Sequence, residues 1–126
     1  MASDYGLLEV CSPQTPSLHV VLIHGLNGGR SSTWTNSKNE FWPAWIGRHV
    51  PGARVWVYGY NANLWYTGSN DHLVLHATKL LNILVDHQVG RLQDTIVPTV
   101  LVGHSLGGIL IKQVPPALCE STGGEH

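Results

Sequence analysis

One serine of the chain has the surroundings that a catalytic nucleophile requires. Ser105 is flanked by Gly103 and Gly107 in a G-x-S-x-G pattern. A short β-branched run, Thr99–Val102, leads into this pattern, and an apolar stretch, Leu106–Ile111, follows it. The order predicts a strand, a sharp turn and a helix, with the serine hydroxyl exposed at the apex. The two glycines supply the small residues that such a crowded turn needs.

Cleavage of an ester or amide by a serine needs a base for its proton and two donors for the developing oxyanion. The N–H of Leu106, which follows the serine, is one predicted donor. The second donor should come from the loop after an earlier strand, and His24-Gly25-Leu26 follows the apolar run Leu18–Ile23. We therefore assign the second donor to the N–H of Leu26. His24 is expected to shape this loop, and Gly25 to allow close approach of the backbone.

The elements that must position these groups alternate between strands and helices. Strands are predicted at Leu18–Ile23, Ala53–Tyr58 and Thr99–Val102, because their apolar runs suit a sheet that is buried on both faces. Helices are predicted over about 40–49, from Ser69 or Asn70 to Gly90, and from about Leu106. The alternation predicts an α/β fold with three main parallel strands and flanking helices.

The composition excludes several classes of protein. The chain has 126 residues, of which 43% are apolar and 12% charged, with a net charge of −1. Without a basic cluster, binding of nucleic acid through a charged patch is not expected. No apolar run reaches the roughly 18 residues of a membrane-spanning helix, and the first residues do not form a signal peptide. Cys11 and Cys119 are interpreted as free thiols, which is typical of a reducing compartment.

Two weaker motifs suggest a metal or a nucleotide and are set aside. His72 and His76 have the i, i+4 spacing that zinc can use, but a third ligand is missing, so a solvated helix face is the simpler interpretation. Gly25–Ser31 has too few residues between its glycines for a phosphate-binding loop, and it has Arg30 where that motif has lysine. Neither a metal nor a cofactor is therefore predicted.

The five tryptophans divide into two groups. Trp34 and Trp65 fall in predicted loops near the edge that carries the serine, so they are candidates for lining the substrate. Core packing is the expectation for Trp42, Trp45 and Trp56.

An ordered set of five segments resembles the α/β-hydrolases, and more narrowly the lipase-like branch of serine-active-site-containing proteins. The segments are His24–Gly28, Thr33–Thr35, Phe41–Trp42, Tyr58–Asn61 and Gly103–Gly108. The resemblance implies an ester or lipid substrate, Ser105 as the nucleophile, and the amides of Leu26 and Leu106 as the oxyanion hole. It also places the His24 strand between the other two, and it implies association with mitochondria or endoplasmic reticulum. Without a targeting signal, the cytosol is the default location.

The sequence departs from that pattern after Gln113, where Pro115-Pro116 interrupts the helix. We expect an N-terminal extension with a candidate edge strand over 1–17, a partial hydrolase domain over 18–113 and a disordered tail over 114–126. In this fold the triad acid and histidine follow the serine on later strands, and no further strand pattern follows here. His126 alone would lie on an unpacked tail.

Two functions therefore remain open. The chain is either the nucleophile-bearing half of a serine hydrolase, with little activity by itself, or a non-catalytic remnant that serves as an interaction or signalling module. In both cases the strand that precedes Ser105 would leave one sheet edge uncovered, which favours self-association.

Overall fold

The computed structural model describes residues 5–25, 28–61 and 70–113, without the side chains of 70–72. A four-stranded sheet forms the centre of this part of the chain, and a small two-stranded hairpin lies outside the sheet. The strands, in chain order, are β1 (Gly6–Cys11), β2 (Leu18–Ile23), β3 (Ala53–Gly59), β4 (Arg91–Leu92), β5 (Thr95–Ile96) and β6 (Thr99–Gly103).

The sheet has the order β1-β3-β2-β6. Strands β3, β2 and β6 are parallel to one another. β2 lies in the middle, with Val21 opposite Trp56 of β3 on one side and Leu101 of β6 on the other. Val21 is completely buried, as expected for an apolar run between two neighbours and two layers of helix. The predicted α/β fold with three parallel strands, and the central position of β2, are confirmed. β1 adds an antiparallel edge beside β3.

Helices cover both faces of the sheet. α1 (Trp42–His49) packs on one face, where Ile46 and Phe41 join a cluster of buried residues around Val55 and Leu22. The opposite face carries α2 (Asn70–Asp86) and the helix at 106–113, which we call α3. The buried core of that face is formed by the following residues: Val21, Ile23, Trp56, Tyr58, Tyr60, Ala77, Leu80, Leu84 and Leu110.

Three expectations about packing were wrong. His76, expected on a solvated helix face, is only 3% exposed. Trp42 is 41% exposed and Trp45 is 51% exposed, although core packing was expected for both. α1 has only eight residues, so only its Pro43 and Ile46 side reaches the sheet, and the two tryptophans lie on its outer side. Trp56 is 3% exposed, as expected.

The β4–β5 hairpin was not predicted at all. Its strands have two residues each, which is too short for an alternating pattern to be recognised.

Among the described residues, no helix is long and apolar enough to cross a bilayer.

Candidate active site

Ser105 lies where β6 ends and α3 begins, and it is exposed. Its φ is +58°, in the left-handed region that residues other than glycine seldom adopt. The strand register continues up to the turn, because the His104 N–H donates to the Ile23 carbonyl at 3.0 Å. The chain therefore turns abruptly within one residue, between a strand and a helix, at the carboxyl edge of the sheet.

Three glycines allow the backbone to crowd around this turn. A Cβ atom on Gly25 would lie 2.8 Å from the Ser105 Cβ and 2.9 Å from the Leu106 nitrogen. A Cβ on Gly103 would meet the Gly108 nitrogen at 2.5 Å. A Cβ on Gly107 would overlap the carbonyl oxygen of Ile23. Real Cβ atoms do not come this close to other atoms, so each position accepts only glycine without movement of the backbone.

The N–H groups of the first turn of α3 differ in their hydrogen bonds to the described part of the chain. The Gly107 N–H donates to the His104 carbonyl, and the Gly108 N–H donates to the Ser105 carbonyl, both at 3.0 Å. Within residues 5–25, 28–61 and 70–113, the Leu106 N–H donates to no backbone carbonyl. The N–H groups at the N-terminus of a helix favour negative charge in front of them.

His24 is buried, with 1% of its surface exposed, and both ring nitrogens are in hydrogen bonds. Its Nδ1 lies 2.9 Å from the Gly25 carbonyl, which can only accept, so Nδ1 carries the proton. Its Nε2 accepts from the Tyr60 N–H at 3.2 Å. The ring is therefore the neutral Nδ1–H tautomer. His24 supports the loop after β2 and is not positioned to take a proton from Ser105.

Tyr60 completes this arrangement. Its hydroxyl donates to the His24 carbonyl at 2.7 Å, and its ring stacks on the His24 ring with 4.5 Å between centroids. Burial, with a smaller contribution from neighbouring Tyr58, raises the pKa of Tyr60 to about 12. The phenol therefore stays protonated, and remains a donor, at any physiological pH.

The Gly25 carbonyl accepts two hydrogen bonds. One comes from His24 Nδ1 and the other from the Gly28 N–H, at 3.1 Å.

Trp34 connects the turn to a groove beside α1. It lies in a short 3₁₀ helix (Ser32–Trp34) and is 5% exposed, with ring contacts to His104 and to Trp42. Its indole Nε1 is buried, and no described residue forms a hydrogen bond with it. A groove of about 370 Å³ lies along α1. The groove is lined by Asn36, Glu40, Phe41, Trp42, Ala44, Trp45 and Arg48.

Comparisons with known proteins give one distant relative. The chain is 26% identical over 135 residues to Protein SERAC1 of Danio rerio. The match covers 87% of this chain, which spans about a fifth of the length of that relative (20%). It supports a distant, hydrolase-like relationship. No family model matches the chain, and no solved structure matches it.

The structure brings most of the predicted site residues together. Ser105, Gly103 and Gly107 form the turn, and the loop that carries His24 and Gly25 lies against it. The predicted second donor, Leu26, and the predicted lining residue Trp65 lie outside the described residues.

The sequence analysis missed the contribution of Tyr60. Its signal was the aromatic residue just after β3, at the same sheet edge as the serine.

Among the described residues, no group of three potential ligands could hold a metal ion.

Proposed function

We propose that the chain carries the nucleophile half of a serine hydrolase that acts on carboxylic esters or lipids. In this proposal Ser105 is the nucleophile, and the amides of Leu106 and Leu26 form the oxyanion hole. The observation that carries the proposal is the close approach of Gly25 to the serine turn, where a Cβ on Gly25 would collide with both Ser105 and the Leu106 nitrogen. The start of the loop after β2 therefore lies directly against the serine turn, where a second donor is needed.

The chemistry follows from this placement. Ser105 Oγ attacks the ester carbonyl carbon and loses its proton to a base, and the carbonyl oxygen becomes an oxyanion in front of the Leu106 N–H. Collapse of the tetrahedral intermediate expels the alcohol, whose oxygen takes the proton back from the base, and leaves an acyl-serine. Water then attacks the acyl carbon and releases the carboxylic acid and free Ser105. The 106–113 helix directs its N-terminus at the negative charge, so it stabilises the oxyanion more than the neutral ester.

The orientation of the second donor would depend on His24. The Gly25 carbonyl is held by His24 Nδ1 and by the Gly28 N–H. That carbonyl belongs to the same planar peptide group as the Leu26 N–H, so fixing one fixes the direction of the other. The proposal therefore gives His24 and Tyr60 the role of positioning residues.

The groove along α1 is the proposed site for the apolar part of the substrate. Its exposed aromatic side chains, Trp42 and Trp45, offer the contact surface that an acyl chain needs. Trp42 also contacts Trp34, which contacts His104 next to the nucleophile. The ring contacts thus connect the groove to the turn.

A non-catalytic scaffold is the alternative, and one observation favours it. Among the described residues, no histidine forms a hydrogen bond with Ser105 Oγ, and a serine without a base is a weak nucleophile. Hydrolases that lack their triad still accelerate the reaction about 10³–10⁴-fold over water through the oxyanion hole and binding. The two functions therefore differ in the reactivity expected of Ser105.

Phosphonylation by a fluorophosphonate probe tests the proposal. Labelling is mapped by mass spectrometry, with free imidazole added as an external base in parallel samples. We expect Ser105 to react at least about tenfold faster than any other serine, and imidazole to increase its rate. Ser105→Ala should abolish the fast label, and Ser37→Ala, at an exposed serine of the 35–41 turn, should leave it unchanged. Labelling of Ser105 no faster than Ser37, with or without imidazole, would favour the scaffold.

A further inference from the structure

The groove along α1 has walls that are mostly planar groups. Its aromatic lining consists of Phe41, Trp42 and Trp45. Arg48 adds a guanidinium, which is also planar and stacks on aromatic faces. Among the described residues that line the groove, Ala44 alone is aliphatic. Such walls offer a flat aromatic ligand the stacked and edge contacts that a saturated chain cannot make.

Ring contacts hold the two exposed indoles of this groove in place. Trp42 makes an edge contact with the buried ring of Trp34, with 5.6 Å between centroids and 83° between planes. Trp45 stacks on His49, which lies one helical turn further along α1, with 4.5 Å between centroids. Because these contacts already restrict both side chains, little further conformational entropy is lost when a ligand packs against them.

A carboxylate in the same groove is oriented by its neighbour. Asn36 Nδ2 donates to Glu40 Oε1 at 3.2 Å, and Asn36 Oδ1 accepts from the Glu40 N–H at 3.0 Å. The Asn36 N–H also donates to the Glu40 carbonyl, at 3.0 Å. No described residue donates to the second carboxylate oxygen, Oε2. The groove therefore presents a fixed hydrogen-bond acceptor beside its aromatic walls.

The two charged side chains of the groove have opposite signs and do not pair with each other. Within the described part of the chain, neither Arg48 nor Glu40 forms an ion pair. Arg48 opposes the binding of a cation, and Glu40 opposes the binding of an anion. A neutral group that donates a hydrogen bond avoids both repulsions. A phenolic hydroxyl is such a donor, and it is attached to a flat ring.

We propose that this groove binds a hydroxylated aromatic ring at the end of the acyl group of the substrate. The ring packs against Trp42 and Trp45, and its hydroxyl donates to Glu40 Oε2. Trp34 lies between the groove and the serine turn, so a spacer of several carbon atoms joins the ring to the ester carbonyl. The inference rests on the proposed function, because it names the acyl group that Ser105 would receive. The substrate class is an ester of a hydroxyphenyl-alkanoic acid.

Binding of matched esters to the Ser105→Ala protein tests the inference. The methyl esters of para-hydroxyphenylhexanoic, phenylhexanoic and cyclohexylhexanoic acid have the same spacer and differ only in the ring. By isothermal titration calorimetry, we expect the hydroxyphenyl ester to bind at least about tenfold more tightly than the cyclohexyl ester, with the phenyl ester between them. Equal affinity for the three, tighter binding of the cyclohexyl ester, or no binding of any of them overturns the proposal.

Three variants locate the binding site. Glu40→Gln should remove most of the preference for the hydroxyphenyl over the phenyl ester, because a charged acceptor forms the stronger hydrogen bond. Trp45→Leu should remove most of the preference for phenyl over cyclohexyl, and it should fold normally because Trp45 is 51% exposed. Leu75→Ala is the control, since Leu75 is 46% exposed on α2, on the other face of the sheet. Equal effects of Trp45→Leu and Leu75→Ala would show that the esters do not bind in this groove.

The binding measurements do not depend on the reactivity of Ser105. Preferential binding of the hydroxyphenyl ester, in a protein whose Ser105 is not labelled by the fluorophosphonate probe, supports this inference and overturns the proposed function. Fast labelling of Ser105 without any preference among the three esters supports the proposed function and overturns this inference.

Discussion

Single glycines determine how closely the backbone approaches Ser105. Gly107 lies at the start of α3, where a Cβ would overlap the Ile23 carbonyl and come within 2.8 Å of the His24 carbonyl. Gly108, the next residue, has no atom within 4 Å of an added Cβ. The two adjacent glycines of α3 therefore differ in whether they can be replaced by a residue with a side chain.

Alanine at these two positions should have opposite effects. Gly107→Ala is expected to destabilise the fold by about 1–3 kcal/mol, because the backbone of β2 or α3 must move to make room. Gly108→Ala should stabilise it by about 0.5–1 kcal/mol, because alanine loses less entropy in a helix. Urea unfolding of both variants measures the two free energies, and effects of the same sign would contradict the packing described for α3.

Some residue roles could be predicted from the sequence and others could not. The pattern around Ser105 fixes the turn, since its glycines and flanking elements are adjacent in the chain. The tautomer of His24 could not be predicted, because it depends on Tyr60, which is 36 residues away. Contacts between distant segments of this kind leave no periodic signal in one sequence.

At the scale of elements, the strand, turn and helix around Ser105 form one strained unit. The left-handed conformation of Ser105 costs a residue with a Cβ about 1–2 kcal/mol, and the packing of β6 and α3 must compensate for that cost. Backbone strain of this kind is common at functional sites. Its free energy can be measured by unfolding of variants, without an assay of activity.

Glycine at position 105 should relieve the strain. Ser105→Gly is expected to be more stable than Ser105→Ala by roughly 0.5–1 kcal/mol, after the greater entropy of unfolded glycine is subtracted. Both variants lack the hydroxyl, so the comparison isolates the backbone. Thermal or urea unfolding gives the difference, and an alanine variant as stable as the glycine variant would indicate that residue 105 is not held at positive φ.

The predictability of the elements depended on their length. β2 and β6 were predicted to within one residue, because a continuous apolar run is a strong signal for a strand. α1 was predicted, but its buried side was not, because Trp42, Trp45 and Ile46 are all apolar in an eight-residue helix. The strands β4 and β5 were missed because two residues are too few to show an alternating pattern.

At the scale of the whole molecule, the end of the sheet opposite the serine contains a buried histidine. His19 is completely buried, and its Nδ1 accepts a hydrogen bond from Trp56 Nε1 at 3.3 Å. Burial lowers the pKa of His19, the positive charge of Arg54 lowers it further, and the negative charge of Glu9 opposes the shift in part. The folded protein therefore keeps His19 neutral at a pH at which the unfolded chain takes up a proton.

The stability of the fold should consequently depend on His19 in weakly acidic solution. Because the pKa is lower in the folded state, the stabilisation is fully present above about pH 6.5 and is lost as the pH falls below that value. We expect His19→Leu to cost more free energy of unfolding at pH 7.5 than at pH 5, measured by urea unfolding. A cost that does not change between these two pH values would contradict the assignment of His19 as a buried neutral residue.

The central claim is that the serine hydroxyl lies beside two backbone N–H groups, one in its own turn and one in the loop after β2. A crystal structure of the phosphonylated chain tests it directly, because the phosphonyl oxygen marks the position of an oxyanion. The account predicts a covalent bond to Ser105 Oγ, with that oxygen about 2.7–3.1 Å from the nitrogens of both Leu106 and Leu26. An adduct whose oxygen points into solvent, away from both amides, would contradict the account.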